Sequence, residues 1–340
     1  MSAAIEGTAD QKPLRKSGRM DHDTHLLIGL VNNMPAASRL ATERQFRNLI
    51  ASASGGIPTE LLVYVSPRLA YATHHSGIPA DRFDLQDLWG CRLDGLIVTG
   101  SEPVADCLTK EPNWDELAAL VDWAEDNTYS AIWSCLAAHA AVYRLDGVER
   151  RRLPNKLFGL FECTSVSHNE REWDVNPWVP DRFWVPHSRW NGIFQDVHEL
   201  SELGYRALSQ SQFSGPDIFV RKKRSLFVFC QGHPEYETDS LLLEYRRDVA
   251  RFLRGERRSY PELPHEYFDD ETEARMLAFR DRADLWPAES LLCDFPVVQQ
   301  SQGVKRTWHS MAVRLYHNWL LYLSEQKTAG TAIRVSGIAV

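Results

Sequence analysis

The first half of the chain alternates short apolar runs with segments whose apolar residues recur at helical spacing. Such runs favour strands buried on both faces, and each one is followed by an amphipathic stretch. Parallel strands need helical crossovers of this kind. The predicted strands cover residues 25–32, 60–65, 93–98 and 129–134, and the predicted helices cover residues 41–53, 113–126 and 136–145. The alternation therefore predicts an α/β fold, with a parallel-rich sheet and helices on both faces.

The second half of the chain has a different pattern, in which short strand candidates are separated by turn residues. These candidates cover residues 157–167, 204–210, 217–222 and 225–230, and predicted helices cover residues 239–252, 271–283 and 311–325. We find no internal repeat and no clean linker. We therefore expect a flexible tail over residues 1–24, a single domain over residues 25–326, and a second tail over residues 327–340.

Charge and cysteine usage narrow the function classes. Lys and Arg total 38 against 46 Asp and Glu, and this net charge of −8 disfavours nucleic acid as a partner. No apolar run reaches the ~20 residues that a membrane helix needs, and residues 1–24 contain no apolar stretch typical of a secretion signal. The six cysteines form no CxxC pair, so we expect free thiols in a reducing cytoplasm and no metal site.

One cysteine lies where α/β folds build active sites. Cys135 stands between the apolar strand 129–134 and the Ala-rich helix 136–145. Such a corner places a side chain above the carboxyl edge of a parallel sheet. The free N–H groups of the helix N-terminus favour a thiolate and can bind a developing oxyanion. The alternative is a small apolar residue packed at a corner, since free cysteines are often buried.

A second segment could complete a nucleophilic site. The strand 225–230 leads into Gln-Gly-His-Pro-Glu-Tyr, which contains His233 and Glu235. Pro234 pushes His233 out of the helical region of backbone space, so the two side chains can face the same side of an extended segment. Together with Cys135 they suit a Cys–His–acid triad, although His-Pro-Glu alone also fits a structural turn.

From about Leu26 to Glu325, the sequence resembles the homoserine O-succinyltransferase (homoserine transsuccinylase) family. The resemblance implies a flavodoxin-like fold similar to class I glutamine amidotransferases, and an O-acyltransferase that acts on L-homoserine in methionine biosynthesis. The matching blocks are residues 93–100 (LDGLIVTG), 133–147 around Cys135, 185–189 (VPHSR) and 232–249 (GHPEYETDSLLLEYRRDV), with a weaker match over residues 316–320.

The resemblance also implies roles for individual residues. Cys135 would carry the acyl group as a thioester, His233 would be the general base, and Glu235 would orient it. The family's substrate contacts carry over to Lys156, Ser188 and Arg247. The co-substrate would be an acyl-CoA, either succinyl-CoA or acetyl-CoA, with no bound cofactor and no metal. We expect small-molecule substrates and neither nucleic acid nor membrane as partners. The sequence is compatible with a homodimer and does not decide the oligomeric state.

The chain departs from the family pattern near the predicted nucleophile and after Met34-Pro35. Arg39 stands nearest to where the family usually has a lysine, Leu136 replaces a usual Trp, and His139 replaces a usual Gln. Such changes allow an altered donor or acceptor.

The loop after the third predicted strand bears on the choice of acyl donor. In the family, Gly at one loop position accompanies succinyl transfer and Glu accompanies acetyl transfer. The loop here reads Thr-Gly-Ser-Glu-Pro-Val-Ala, so the selector is Val104 or Ala105, depending on the alignment. Neither is charged, which favours succinyl. Glu102 lies close enough to repel an anion and keeps acetyl open.

Three other functions remain as alternatives. The acceptor could be serine or another hydroxy amino acid. The same triad could hydrolyse glutamine, although amidotransferases usually flank the cysteine with glycines and no synthetase domain is present. A non-catalytic relative is the third alternative, and the joint presence of Cys135, His233, Glu235 and Arg247 argues against it.

Overall fold

An eight-stranded sheet forms the centre of the molecule, with strand order β3-β2-β1-β4-β5-β12-β11-β8. The computed structural model describes residues 25–66, 82–166, 178–298, 303–304 and 308–336. The predicted tail over residues 1–24, the last residue of the predicted strand 157–167 and residues 337–340 lie outside the described residues.

The strands are β1 (Leu26–Val31), β2 (Thr59–Val65), β3 (Phe83–Asp84), β4 (Gly95–Val98), β5 (Ser130–Ser134), β6 (Arg151–Ser165), β7 (Arg182–Gly192), β8 (Arg206–Ala207), β9 (Ser209–Ser211), β10 (Gly215–Pro216), β11 (Ile218–Lys222) and β12 (Leu226–Cys230). The helices are α1 (Ala36–Ala53), α2 (Leu85–Leu88), α3 (Trp114–Asn127), α4 (Leu136–Asp146), α5 (Val197–Glu202), α6 (Ser240–Leu253), α7 (Asp270–Leu285) and α8 (His309–Ser336), and 3-10 turns cover Leu108–Lys110 and Glu289–Asp294.

The central sheet is parallel over six of its strands, and only β11 and β8 run antiparallel to their neighbours. The carboxyl ends of β5 and β12 lie side by side, because Ser134 pairs with Cys230. This register brings the loops that follow the two strands to one edge of the sheet, where open α/β sheets bind their ligands.

Helices cover both faces of this sheet. Helices α1 and α8 pack on one face through buried residues such as Phe46 and Trp319, against Ile28 and Ile132. Helices α3 and α4 pack on the other face, where Leu120 and the alanines of α4 meet Leu96, Trp133 and Phe229. The predicted α/β fold with a parallel-rich sheet is confirmed.

A second, four-stranded antiparallel sheet has the order β10-β9-β6-β7. Helices α6 and α7 pack against it through a third cluster that contains Phe158, Leu160 and Tyr245. The sequence analysis predicted β6 but no strand over Arg182–Gly192. That stretch contains a proline and several polar residues, so it lacks the apolar alternation that identifies a strand.

The C-terminal helix is longer than predicted. We expected it to end near Glu325 and a tail to begin at Lys327, but α8 continues to Ser336. Lys327 donates hydrogen bonds to the Asp94 carboxylate at 2.8 Å and to the His25 carbonyl at 2.9 Å. These contacts attach the last turns of α8 to the start of β1 and β4. Over the described residues, no helix is both long enough and apolar enough to cross a membrane.

Candidate active site

The junction of β5 and α4 places Cys135 in an unusual backbone conformation. Its φ is 52° and its ψ is −116°, a region that residues with a side chain rarely adopt. Such strain persists only where the surrounding structure determines it, and it clusters at active sites. The Cys135 N–H donates to the Cys230 carbonyl at 2.8 Å, which ties the corner to the end of β12. The thiol therefore projects from a sharp strand-to-helix turn.

His233 and Glu235 lie on the loop that follows β12, next to this corner. Cys135 and His233 both line the cavity, and the Cys135 sulfur is close enough to raise the pKa of the His233 ring. Its Nδ1 is 2.9 Å from Oε1 of Glu235, and the ring stacks on Tyr236 with 4.4 Å between centroids. The His233 N–H donates to the Pro186 carbonyl of β7 at 2.8 Å. The structure thus brings Cys135, His233 and Glu235 together in the order that a nucleophile, a base and an orienting acid require.

The surroundings of His233 favour its protonated form. Burial of the ring lowers its pKa, but the Glu235 carboxylate and the Cys135 sulfur outweigh burial and raise the pKa of His233 well above its ordinary value. One Glu235 oxygen bonds to His233 and also accepts from the Ser134 hydroxyl at 3.4 Å. A protonated imidazole in this position can give its proton to a leaving group, as a general acid requires.

The other five cysteines are placed differently. Cys163 and Cys230 are buried, and burial raises the pKa of both thiols well above the ordinary value. Cys91, Cys107 and Cys293 lie away from the cavity, which Cys135 lines. Of the six, Cys135 is therefore the candidate nucleophile.

The loop with His233 rests on a buried polar group that sequence analysis missed. Asp217 is fully buried, and its Oδ1 accepts from the Gly232 N–H at 2.9 Å and lies 3.4 Å from Nε2 of His187. Burial raises the pKa of Asp217 to about 6, although nearby Arg189 opposes this shift. Gly232 has no room for a side chain, since a Cβ would lie 2.4 Å from Val185. Only the pairing of β11 with β12 brings Asp217 here, so no local signal marked it.

The predicted substrate contacts Lys156, Ser188 and Arg247 also meet in this cavity. They surround Glu244 of α6, which accepts from the Ser188 hydroxyl at 2.5 Å and from the Tyr236 hydroxyl, and lies 3.5 Å from the Lys156 ammonium. Burial opposes the charge on Glu244, but Lys156 and these hydrogen bonds outweigh it and lower the pKa of this carboxyl.

Asp248 is the second carboxylate of this cluster. It accepts from Lys156 at 3.3 Å and from Arg247 at 3.2 Å. Sequence analysis did not single out Glu244 or Asp248. Their spacing of four residues on α6, around Arg247, could have indicated one helix face.

The loop after β4 forms another wall of the cavity. It carries the three residues that could select the acyl donor, and they differ in whether they line the cavity. Gly100 packs on the start of α4, so that a Cβ there would lie 2.8 Å from the Leu136 nitrogen. Glu102 lines the cavity, but Val104 and Ala105 do not. Their N–H groups instead donate to the buried Glu111 carboxylate, and Val104 is 72% exposed. Two of the three candidates are therefore placed away from the site.

The positions that depart from the family pattern differ in their distance from the cavity. Leu136 and His139 line it, whereas α1 contributes Thr42 and Gln45 rather than Arg39. His139 lies 3.1 Å from the Gln231 side chain, and burial lowers the pKa of His139 to about 3. His139 is therefore neutral at physiological pH.

The cavity has a volume of about 390 Å³, enough for the reacting ends of two small substrates. In the described part of the chain, no group of three or more His, Cys, Asp or Glu side chains is arranged to bind a metal ion. The site combines a candidate nucleophile, a base and several cations that could bind carboxylates.

Comparison with known proteins relates this site to one family. The model of the family described as homoserine O-succinyltransferase matches residues 14–330. A homoserine O-succinyltransferase of Rhodopseudomonas palustris is 45% identical over 300 residues, which cover 88% of each chain. One of Methylorubrum extorquens is 42% identical over 328 residues, which cover 95% of this chain and 92% of the relative.

A glutamine amidotransferase structure from Methylobacillus flagellatus is 15% identical, with a TM-score of 0.49, and the match covers 88% of this chain and 95% of that one. The range that the family model matches covers nearly the whole described chain. This chain belongs to the homoserine O-succinyltransferase family.

Proposed function

We propose that this protein transfers a succinyl group from succinyl-CoA to the hydroxyl of L-homoserine, through a thioester on Cys135. Family membership supports the overall reaction. The observation that carries the mechanism is the strained corner at Cys135, which shares the cavity with an imidazole whose Nδ1 is 2.9 Å from Glu235.

In the first half-reaction, the Cys135 thiolate attacks the thioester carbonyl of the acyl-CoA. A bond forms between the Cys135 sulfur and the acyl carbon, and the bond to the CoA sulfur breaks. The proton on His233 goes to the departing CoA thiolate, and the raised pKa of His233 keeps this proton available. The N-terminus of α4 begins at Leu136, and its N–H groups would stabilise the oxyanion.

In the second half-reaction, the homoserine hydroxyl attacks the thioester on Cys135. Neutral His233 accepts the hydroxyl proton, the oxygen–acyl bond forms, and Cys135 leaves as a thiolate. Arg247, 43% exposed in its side chain, would bind the α-carboxylate through its forked donors. Glu244 and Asp248 keep Lys156 and Arg247 at the cavity wall. The product is an activated homoserine for methionine biosynthesis.

Glu102 supports acetyl-CoA as a second candidate donor. Its carboxylate lines the cavity and would repel the distal carboxylate of a succinyl group, whereas an acetyl group carries no such charge.

The proposal is tested by incubating the purified protein with L-homoserine and either donor, and identifying the products by mass spectrometry. We expect O-succinylhomoserine, with a higher kcat/KM for succinyl-CoA. A preference of tenfold or more for acetyl-CoA, worth about 1.4 kcal/mol, would refute the choice of donor. Products with serine but none with homoserine would refute the choice of acceptor.

A further inference from the structure

Two arginines of α6 face the same cavity. Arg247 and Arg251 are four residues apart, so they lie one above the other on one helix face, and both line the cavity. The proposed reaction has two free carboxylates near the reacting atoms, one on homoserine and one at the far end of the succinyl group. If Arg247 binds the first, the second still needs a partner.

Four cations in this part of the cavity share one carboxylate. Asp248 lies within 4 Å of four cations, namely Lys156, Arg247, Arg251 and Arg257. Of these four, only Lys156 and Arg247 donate hydrogen bonds to Asp248. Glu102, Glu244 and Glu256 line the same part of the cavity, so an additional anion would bind through N–H groups that these carboxylates leave unused.

Among these four cations, Arg251 has the most side-chain N–H groups that donate no hydrogen bond. Lys156 and Arg247 donate hydrogen bonds to Asp248, and Arg257 donates to the Ser259 carbonyl. Within the described ranges, the Arg251 guanidinium forms ion pairs of 3.6 Å with Glu102 and 3.7 Å with Asp248, but it donates no hydrogen bond. Its side chain is 38% exposed. Its guanidinium could therefore bind a carboxylate through two N–H groups.

Glu102 links Arg251 to the loop beside the nucleophile. Gly100, two residues earlier, packs against the backbone of Leu136, which directly follows Cys135. An arginine that reaches Glu102 is thus at the wall of the cavity formed by this loop. The ion pair also offsets the repulsion that Glu102 alone would exert on an anionic acyl group.

We propose that Arg251 is a specificity-determining residue that binds the distal carboxylate of the succinyl group, and that it exchanges its ion pair with Glu102 for this contact. This inference rests on the proposed function, because it requires a succinyl donor.

The test compares succinyl-CoA with butyryl-CoA, whose acyl chain has the same four carbons but no carboxylate. We expect Arg251→Ala to lower kcat/KM for succinyl-CoA by about 10- to 100-fold, the size of a lost charge-assisted contact, and to leave butyryl-CoA nearly unchanged. Acyl loading of Cys135, followed by intact mass without homoserine, gives the same comparison where butyryl turnover is slow. Arg246→Ala is the matched control, because Arg246 lies on the same helix over the Phe295 ring, outside the cavity.

A second variant gives an independent readout that does not depend on the folding of Arg251→Ala. Glu102→Gln removes the competing carboxylate from an exposed loop position and should raise the ratio of succinyl to butyryl transfer.

If Arg251→Ala lowered kcat/KM equally for both donors, Arg251 would bind the CoA moiety or homoserine instead, and the inference would be overturned. A lower ratio of succinyl to butyryl transfer in Glu102→Gln would overturn it as well. If the wild type transferred no succinyl group at all, the proposed function would fail, and the inference with it. Succinyl transfer by the wild type, with an unchanged ratio in Arg251→Ala, would refute the inference alone.

Discussion

The reactivity of single residues in this site depends on how Cys135, His233 and Glu235 share protons. The Nδ1 of His233 is hydrogen-bonded to the Glu235 carboxylate, and both this carboxylate and the Cys135 sulfur raise the pKa of His233. Loss of the imidazole would remove the base, whereas loss of the carboxylate would only loosen its orientation. We therefore expect His233→Asn to lower kcat by roughly 10²–10⁴ and Glu235→Gln to lower it less. Equal losses in the two variants, or a fully active His233→Asn, would contradict these roles.

Arg247 provides a second test at this scale. Arg247→Lys keeps the charge but loses the forked geometry, so we expect the KM for homoserine to rise about tenfold while acyl loading of Cys135 continues. Steady-state kinetics and intact mass would measure the two effects separately. Arg246→Lys, outside the cavity, serves as the control. If Arg247→Lys lost acyl loading, Arg247 would instead bind the acyl-CoA donor.

Individual site residues could be predicted where a short motif carries them. Cys135 follows an apolar strand directly, and His233 and Glu235 surround a proline, so local patterns marked all three. Glu244, Asp248 and Asp217 carry no such mark, because their positions in the site depend on contacts between distant elements. Val104 and Ala105 do not line the cavity, and their N–H groups donate to the Glu111 carboxylate. Their influence on the choice of acyl donor stays a prediction.

Among the elements, the loop between β12 and α6 depends on its neighbours for its conformation. The Gly232 N–H donates to the Asp217 side chain of the adjacent chain segment, and the His233 N–H donates to β7. The loop that carries the proposed base is therefore positioned by both sheets.

The buried carboxyl of Asp217 makes a prediction about pH. Its pKa is about 6 in the folded state, against an ordinary value of 3.8. The unfolded chain loses this proton first, so the contribution of Asp217 to stability is fully present below about pH 4 and is lost as the pH rises through 6. We expect the free energy of unfolding of the wild type, relative to Asp217→Asn, to fall by about 2 kcal/mol between pH 4 and pH 7. Urea denaturation at several pH values measures this difference, and a constant difference would show that Asp217 does not titrate in this range.

The elements themselves could be predicted to different degrees. The βα units of the first half and the helices α6 and α7 matched their predicted positions within a few residues, because their apolar spacing is regular. Strand β7 could not be predicted, because its polar residues serve the site and its hydrogen bonding is provided by β6, more than fifteen residues earlier in the chain at its closest pairing.

Across the whole molecule, the ends of the described chain meet at the edge of the core away from the site. Lys327 of α8 binds the Asp94 carboxylate, whose side chain is 11% exposed, and the carbonyl of His25. Lys327 thus attaches α8 to the core, although the sequence analysis placed this residue in a tail.

We expect loss of the contact between Lys327 and Asp94 to lower the free energy of unfolding but not the reaction rate. Lys327→Met keeps most of the side-chain volume and leaves the Asp94 carboxylate without this cation, so we expect a loss of about 1–3 kcal/mol in the free energy of unfolding and unchanged kcat. Lys110→Met, on an exposed turn, is the control. Thermal and urea unfolding measure the difference, and equal stability of the two variants would argue against a structural role for the end of α8.

The central claim is that Cys135 carries the acyl group, and acyl loading without an acceptor tests it most directly. The wild type and Cys135→Ala are mixed with succinyl-CoA, and their intact masses are measured before and after addition of L-homoserine. We predict that the wild type gains the mass of one succinyl group, which homoserine then removes, and that Cys135→Ala gains none. A wild type that acquires no adduct while still forming O-succinylhomoserine, or a Cys135→Ala variant that is loaded as fully as the wild type, would contradict the thioester mechanism.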